Sequence, residues 1–277
     1  MTSPWFGFMG GGGFVFDAVV ASDRNTGYNV LSEAVAAGWD KKTPLVATVT
    51  INPGVYVYSD PWARSIGVGL SVSPGSVGLS ALPGGSFIHI INHGFVLGMG
   101  GTGGAGDYAG GGYVGGAGAP GNPGMRVTVP ILITNHGTIG GGGGGGGGAS
   151  SIAGVGAGGS GGGGAPAGNG GSAAMYGGSA GNAANVSTPG SGSVVANAGG
   201  RGGAWGQAGM PGANGTYNQG GAGGAAGAAV EGNEFITWNR IGKLLGPGGP
   251  PTVEGTLFSD GEQGIWLDPS DMKTGAF

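Results

Sequence analysis

The stretch ILITNHGTIGGGGGGGGG, residues Ile131–Gly148, begins as an apolar strand and ends in an unbroken glycine run from Gly140 to Gly148. A backbone without side chains has few ways to become ordered. Fixing each residue costs about 1–2 kcal/mol of backbone entropy. Glycine is about 1 kcal/mol unfavourable per residue in an α-helix, and a glycine β-sheet has no side chains to pack. The remaining regular form is the left-handed helix with three residues per turn, which has no internal hydrogen bonds. Its N–H and C=O groups point sideways. Without Cβ atoms, neighbouring helices can approach until they bond one another, and a packed bundle then satisfies every buried backbone group. At ~3.1 Å per residue the run spans roughly 28 Å.

Outward from this run the pattern continues. Of 77 glycines, 54 lie between Gly98 and Gly232, whereas an ordinary domain is only about 7% glycine. Further tracts are Gly98–Gly106, Gly110–Gly118, Gly154–Gly164, Gly168–Gly181, Gly199–Gly209 and Gly220–Gly227. Arg201 is the one charged residue from Val127 to Val230. Disordered linkers carry charge that keeps an open chain solvated, so this region is expected to fold. Collagen requires a strict Gly-X-Y repeat with abundant proline, and neither is present. The expectation is a bundle of stacked polyglycine II helices with side chains pointing outward or into turns.

The lead-in to the glycine run has an earlier copy. Ile90-Ile91-Asn92-His93-Gly94 recurs as Ile133-Thr134-Asn135-His136-Gly137, 43 residues later, which suggests stacked, equivalent layers. Before it, Asn29 caps a short helix over 29–37 that Gly38 ends. Pro44–Ile51 alternates, Asn52-Pro53-Gly54 turns and Val55–Tyr58 returns as in a hairpin. Further strands are expected near 66–72, 86–91 and 95–97, and Glu234–Trp238 reads as a closing strand. The fold class is therefore mainly β with a polyglycine II helix bundle. Residues 1–97 form a small N-terminal β-rich attachment domain with one short α-helix. Residues 98–232 form the bundle, with a β-like lead-in at 126–139, and 233–277 form a closing strand and tail.

Several functions are disfavoured. A net charge of −4 supplies no basic stripe for nucleic acid. With no cysteine there is neither a disulfide framework nor a thiolate metal site. No signal peptide and no apolar run of membrane-spanning length are visible. Glycine-rich phosphate fingerprints match only by chance, outside any strand–helix context. Gly158-Gly159-Ser160-Gly161-Gly162 imitates a nucleophile elbow without a triad around it. No carboxylate pair is arranged for acid/base work, so no enzyme activity and no cofactor are expected. His93 and His136 are weak metal candidates because stacking would bring them together, yet a third ligand is lacking. The alternative is two asparagine–histidine turns satisfying strand ends.

The segments Tyr28–Val57, Ile131–Gly148 and Gly206–Gly246 together resemble a broad group of glycine-rich bacteriophage tail fibre and tail tip proteins. The layout of β lead-in, glycine tracts and short variable breaks is similar to the polyglycine II sandwich adhesins at T-even-type long tail fibre tips. The resemblance implies a phage tail adhesin, or receptor-binding protein, in the virion tail, assembled in the host cytoplasm. Its partners would be other tail or fibre proteins and a bacterial surface receptor, either an outer-membrane protein or a glycan, with homo-oligomerisation open. Rigid scaffolds commonly carry recognition on their loops. The aromatics near the breaks, Tyr108, Tyr113, Tyr176, Trp205 and Tyr217, are the receptor-contact candidates, the alternative being that they cover bundle faces. Trp5, Phe6 and Phe8 are candidates for docking to the virion. The main rival reading is a purely structural baseplate or fibre-connecting component. Glycine-rich cell-surface and antifreeze proteins are weaker rivals.

Overall fold

The computed structural model describes residues 12–59, 68–107, 114–152, 157–173, 179–193, 197–216 and 218–249. Strand β1 (Phe14–Val20) is followed by β2 (Tyr28–Asn29) and helix α1 (Val30–Ala36). Then come β3 (Leu45–Ile51), β4 (Tyr56–Tyr58), β5 (Leu70–Val72), β6 (Phe87–Asn92), β7 (Phe95–Leu97) and β8 (Met125–Val127). The series ends with β9 (Ile131–Asn135), β10 (Thr138–Gly140), β11 (Val230–Glu231), β12 (Ile236–Arg240) and β13 (Lys243–Leu245). From β3 onward, successive strands move in rotation to three sheets: β1-β3-β6-β9-β12, β4-β7-β10-β13 and β2-β5-β8-β11. Every strand ladder is parallel. The chain therefore winds as a three-faced solenoid, each turn stacked on the one before.

Alternation within strands builds the core. Leu45, Ala47, Val49 and Ile51 of β3, Ile88 and Ile90 of β6, and Ile133 of β9 are all buried. They point inward on one face, opposite Val57 and Val96 of the second face and Leu70, Val72 and Met125 of the third. The repeat read from sequence is a stacking register: Asn92 lies beside Asn135, and Ile90 beside Ile133. Helix α1 forms as expected, with Asn29 Oδ1 accepting the Ser32 N–H at 2.8 Å. Its buried Val30, Leu31 and Ala34 pack toward β5 and β2, and Gly38 leaves it at φ +106°.

Two expectations are corrected. Asn52-Pro53-Gly54 does not close a hairpin, because β3 pairs with β1 and β6 while β4 pairs with β7. An alternating strand buries its apolar side equally well in either arrangement. Here the inward residues of three faces share one interior, and the turn is a corner between faces. Likewise, 1–97, 98–232 and 233–277 are not separate packing units. Met125 pairs with Val230 and Ile131 with Ile236, so strands from all three regions stack in one solenoid.

The glycine tracts leave the solenoid at one corner, between its second and third faces. Residues 98–124 connect β7 to β8, and 141–229 connect β10 to β11. The central segment, 140–150, is buried throughout. Its N–H groups donate in rotation to three neighbours. Gly142, Gly145 and Gly148 bond Asn122, Ala119 and Gly116; Gly143, Gly146 and Ala149 bond Ala165, Gly162 and Gly159; Gly144, Gly147 and Ser150 bond Gln207, Met210 and Ala213. Its carbonyls accept in rotation from three others, through Gly101 and Gly104, Gly203 and Gly200, and Gly224 and Gly221.

Those six neighbours also bond one another in a closed ring. The links are Gly116 N to Ala105 O, Gly118 N to Ala222 O, Gly209 N to Gly224 O, Met210 N to Arg201 O, Gly162 N to Gly200 O and Gly161 N to Gly104 O. Side chains obey the same period of three. Thr102 and Ala105 are exposed while Gly100, Gly101, Gly103 and Gly104 are buried. Gly221, Gly224 and Gly227 are buried between exposed Ala222 and Ala225. Among the described residues two bundle segments, 140–150 and 157–166, are buried throughout, and the first carries no side chain from Gly140 to Gly148.

Candidate functional site

The bundle has two unlike ends. The near end lies against the solenoid and holds the reversals around 165–168, 184–189 and 204–207. The far end is reached at Asp107 along the tract from Gly98 and at Ser150 along the run from Gly140. Asp107, Ser151, Ser172, Ser179, Ser193, Asn197 and Asn214 come together there. Of the candidates, Tyr108, Tyr113, Tyr176 and Tyr217, and likewise Trp5, Phe6 and Phe8, lie outside the described residues.

Small polar side chains lace the far end together. Ser151 Oγ donates to Asp107 Oδ2 at 2.8 Å. Ser160 Oγ donates to the Ser172 carbonyl at 2.6 Å and Ser193 Oγ to that of Ser179 at 2.8 Å. Asn197 Nδ2 donates to the carbonyls of Ser150 at 3.0 Å and Asn214 at 2.7 Å. Asp107, Ser150, Ser160 and Ser193 are buried, so the bonds hold buried polar groups of adjacent segments together. Sequence reading overlooked this set, because serine and asparagine among glycines look like linker composition. Asp107, a rare charge in a glycine tract, was the available signal.

Trp205 belongs to the near end. Its half-buried ring lies 6.2 Å from Tyr56 and 5.7 Å from Phe95, which stack on each other at 4.5 Å. Its Nε1 donates to the Val186 carbonyl at 2.7 Å. The ring therefore seats two near-end reversals on the outside of the solenoid's second face.

His93 and His136 stand on adjacent turns at one corner, with ring centroids 4.8 Å apart and planes 7° from parallel. The neighbouring asparagines do the structural work. Asn92 Nδ2 donates to Asn135 Oδ1 at 2.8 Å, and each Oδ1 accepts the N–H two residues on, Gly94 at 3.0 Å and Gly137 at 3.1 Å. Both asparagines are fully buried. Asn92→Ala removes these bonds and strands buried partners, each worth roughly 1–3 kcal/mol. A loss of about 2–5 kcal/mol in a denaturant melt is expected, against little change for exposed His93→Asn.

Burial lowers the pKa of His89, and desolvation, then Arg240, then His93 lower that of His136. A depressed folded-state value means the unfolded chain binds more protons. The resulting stability is complete above the ordinary histidine value near 6.5 and is lost as pH falls below it toward the folded values. Melting temperature is therefore expected to fall between pH 7.5 and 5.5, and His89→Gln with His136→Asn should flatten that dependence.

A family model described as phage tail fibre adhesin Gp38 matches residues 16–249, most of the chain and nearly all of the described solenoid and bundle. The chain belongs to the Gp38 phage tail fibre adhesin family. The crystal structure of the gp37–gp38 adhesin tip complex of the bacteriophage S16 long tail fibre shares the fold. The match has a TM-score of 0.58 and 22% identity and covers 85% of this chain and 82% of that one. No curated protein matches the chain. As a tail fibre adhesin the protein works at the phage tail, in attachment to the host.

Proposed function

We propose that this adhesin is a rigid display platform with no catalytic role, in which residues 98–229 form a polyglycine II bundle and Tyr108, Tyr113, Tyr176 and Tyr217 touch the receptor. The supporting observation is the period-three rotation of hydrogen bonds from the central segment to six neighbours, as expected for a helix with three residues per turn. Ideal Cβ positions at Gly143, Gly144 and Gly145 lie 2.0, 1.9 and 2.0 Å from carbonyl oxygens of three different segments. The Cα–H bonds there point at those oxygens, adding weak hydrogen bonds. Side chains carried on such a rigid body would meet a partner at low entropic cost.

The β1 end of the solenoid suits attachment to the fibre. Among the described residues β1 pairs only with β3, leaving its other edge open, and Val15 and Val19 on it are 64% and 65% exposed. An open edge invites strand addition. Trp5, Phe6 and Phe8 precede it in sequence, and the S16 relative is seen in complex with gp37. We assign this end to a fibre partner and the far end to a receptor on the bacterial surface, an outer-membrane protein or glycan. Soluble protein preincubated with host cells should block infection by the parent phage. Unchanged infection at saturating protein would contradict the reading.

A further inference from the structure

We infer that the flank of the bundle carries a second binding site, for a saccharide bearing phosphate or carboxylate, with Arg201 as its anion-binding group. A groove of about 480 Å³ lies on the bundle between residues 182–191 and Arg201. Asn182, Thr188, Ser191 and Arg201 supply its polar rim, and Ala184 and Pro189 an apolar part of its wall. That mixture suits a sugar, which has apolar faces and a hydroxylated edge.

Arg201 distinguishes this groove from the rest of the bundle. It is the sole charge between Val127 and Val230, so the bundle does not depend on scattered surface charge. It occupies an outward lattice position, flanked by buried Gly200 and Gly202, and its backbone carbonyl is bonded by Met210 N. The guanidinium is exposed and forms none of the salt bridges found among the described residues. A free guanidinium offers a planar fork that matches carboxylate or phosphate oxygens. Beside it, Asn182 Nδ2 donates to Ser191 Oγ at 2.7 Å, which leaves the serine hydroxyl proton for a ligand oxygen. Asn185 Oδ1 accepts from the Thr188 and Ser187 N–H groups, holding the turn that forms the groove's near wall.

This contact would act alongside the far-end receptor contact and is separable from it. The test is titration of the full chain with three probes: a phosphorylated lipopolysaccharide core oligosaccharide, the same oligosaccharide after dephosphorylation, and an oligogalacturonate. Binding of the first or third, and not the second, is expected, and which one binds identifies the anion's source. Arg201→Ala should weaken binding roughly ten-fold or more, and Arg201→Lys less, since charge persists without the fork. Alanine at Tyr108, Tyr113 and Tyr176 should leave this binding intact, so the site can stand even if the far-end reading falls. Equal binding by the dephosphorylated probe, no binding by any probe, or an Arg201→Ala variant that binds like wild type would overturn the inference. Because Arg201 is exposed, an unchanged melting temperature checks that the variant is folded.

Discussion

Gly144→Ala is expected to unfold the glycine bundle. Gly144 sits mid-way along a segment with neighbours on every side, and an alanine Cβ there would lie 1.9 Å from the carbonyl oxygen of Gly224 and 2.4 Å from its carbon. Backbone cannot rotate out of the way as a side chain can. Overpacking an ordinary core costs about 1–3 kcal/mol. Here relief requires moving a chain that is itself bonded at Gly224 N to Gly145 and through its carbonyl to Gly209, so the cost should exceed that range. Soluble expression should fall sharply, or the melt should broaden and shift down. Ala105→Ser is the control. Ala105 is exposed on the outward lattice position, and a change within about 0.5 kcal/mol is expected there. Equal effects at the two positions would mean the bundle does not pack as described.

The second large effect is on host binding. Replacing Tyr108, Tyr113 and Tyr176 together by alanine should reduce cell adsorption at least roughly thirty-fold, the equivalent of one hot spot of about 2 kcal/mol, with the melting temperature unchanged. Trp205→Ala should show the opposite signature. It removes a ring packed on Tyr56 and Phe95 and the bond to Val186. A stability loss of about 2 kcal/mol is expected, below the 3–5 typical of fully buried aromatics, with adsorption by the folded fraction retained. Quantitative adsorption assays beside thermal melts separate the two.

What could be read from the sequence follows from where each residue's partner lies. The cap on α1 involves Asn29 and Ser32, three residues apart, and was legible. The repeat at Asn92 and Asn135 was legible because one stacked turn of the solenoid resembles the next. The winding of the strands was not: β3 looks the same locally whether its partner is β4 in a hairpin or β6 in the next turn. Residues 126–139 read as a lead-in because Met125's neighbour Val230 lies beyond the whole glycine insertion. The long run at Gly140–Gly148 announced a packed form of backbone, since nothing else orders so many glycines. Its central position was legible only in retrospect, from the rule that each neighbouring segment excludes one side-chain position per turn. Trp205, grouped by composition with the tyrosines, packs on Tyr56 and Phe95 of the solenoid, a contact no local pattern announces. The lacing of Asp107, Ser151, Ser160, Ser193 and Asn197 was hidden because its partners are mostly backbone atoms of distant tracts.

All of this rests on a glycine core whose amides are bonded between segments and not to water. Site-resolved amide exchange across Gly141–Gly148, in the full chain at neutral pH, measures that directly. Protection of at least about a thousand-fold, as in strands of a stable core, is the expected result, matching that of Ile88 and Ile90. Exchange at open-chain rates in the glycine run while the solenoid stays protected would mean that the platform is a tethered coil, and that no fixed array of turns exists to meet a receptor.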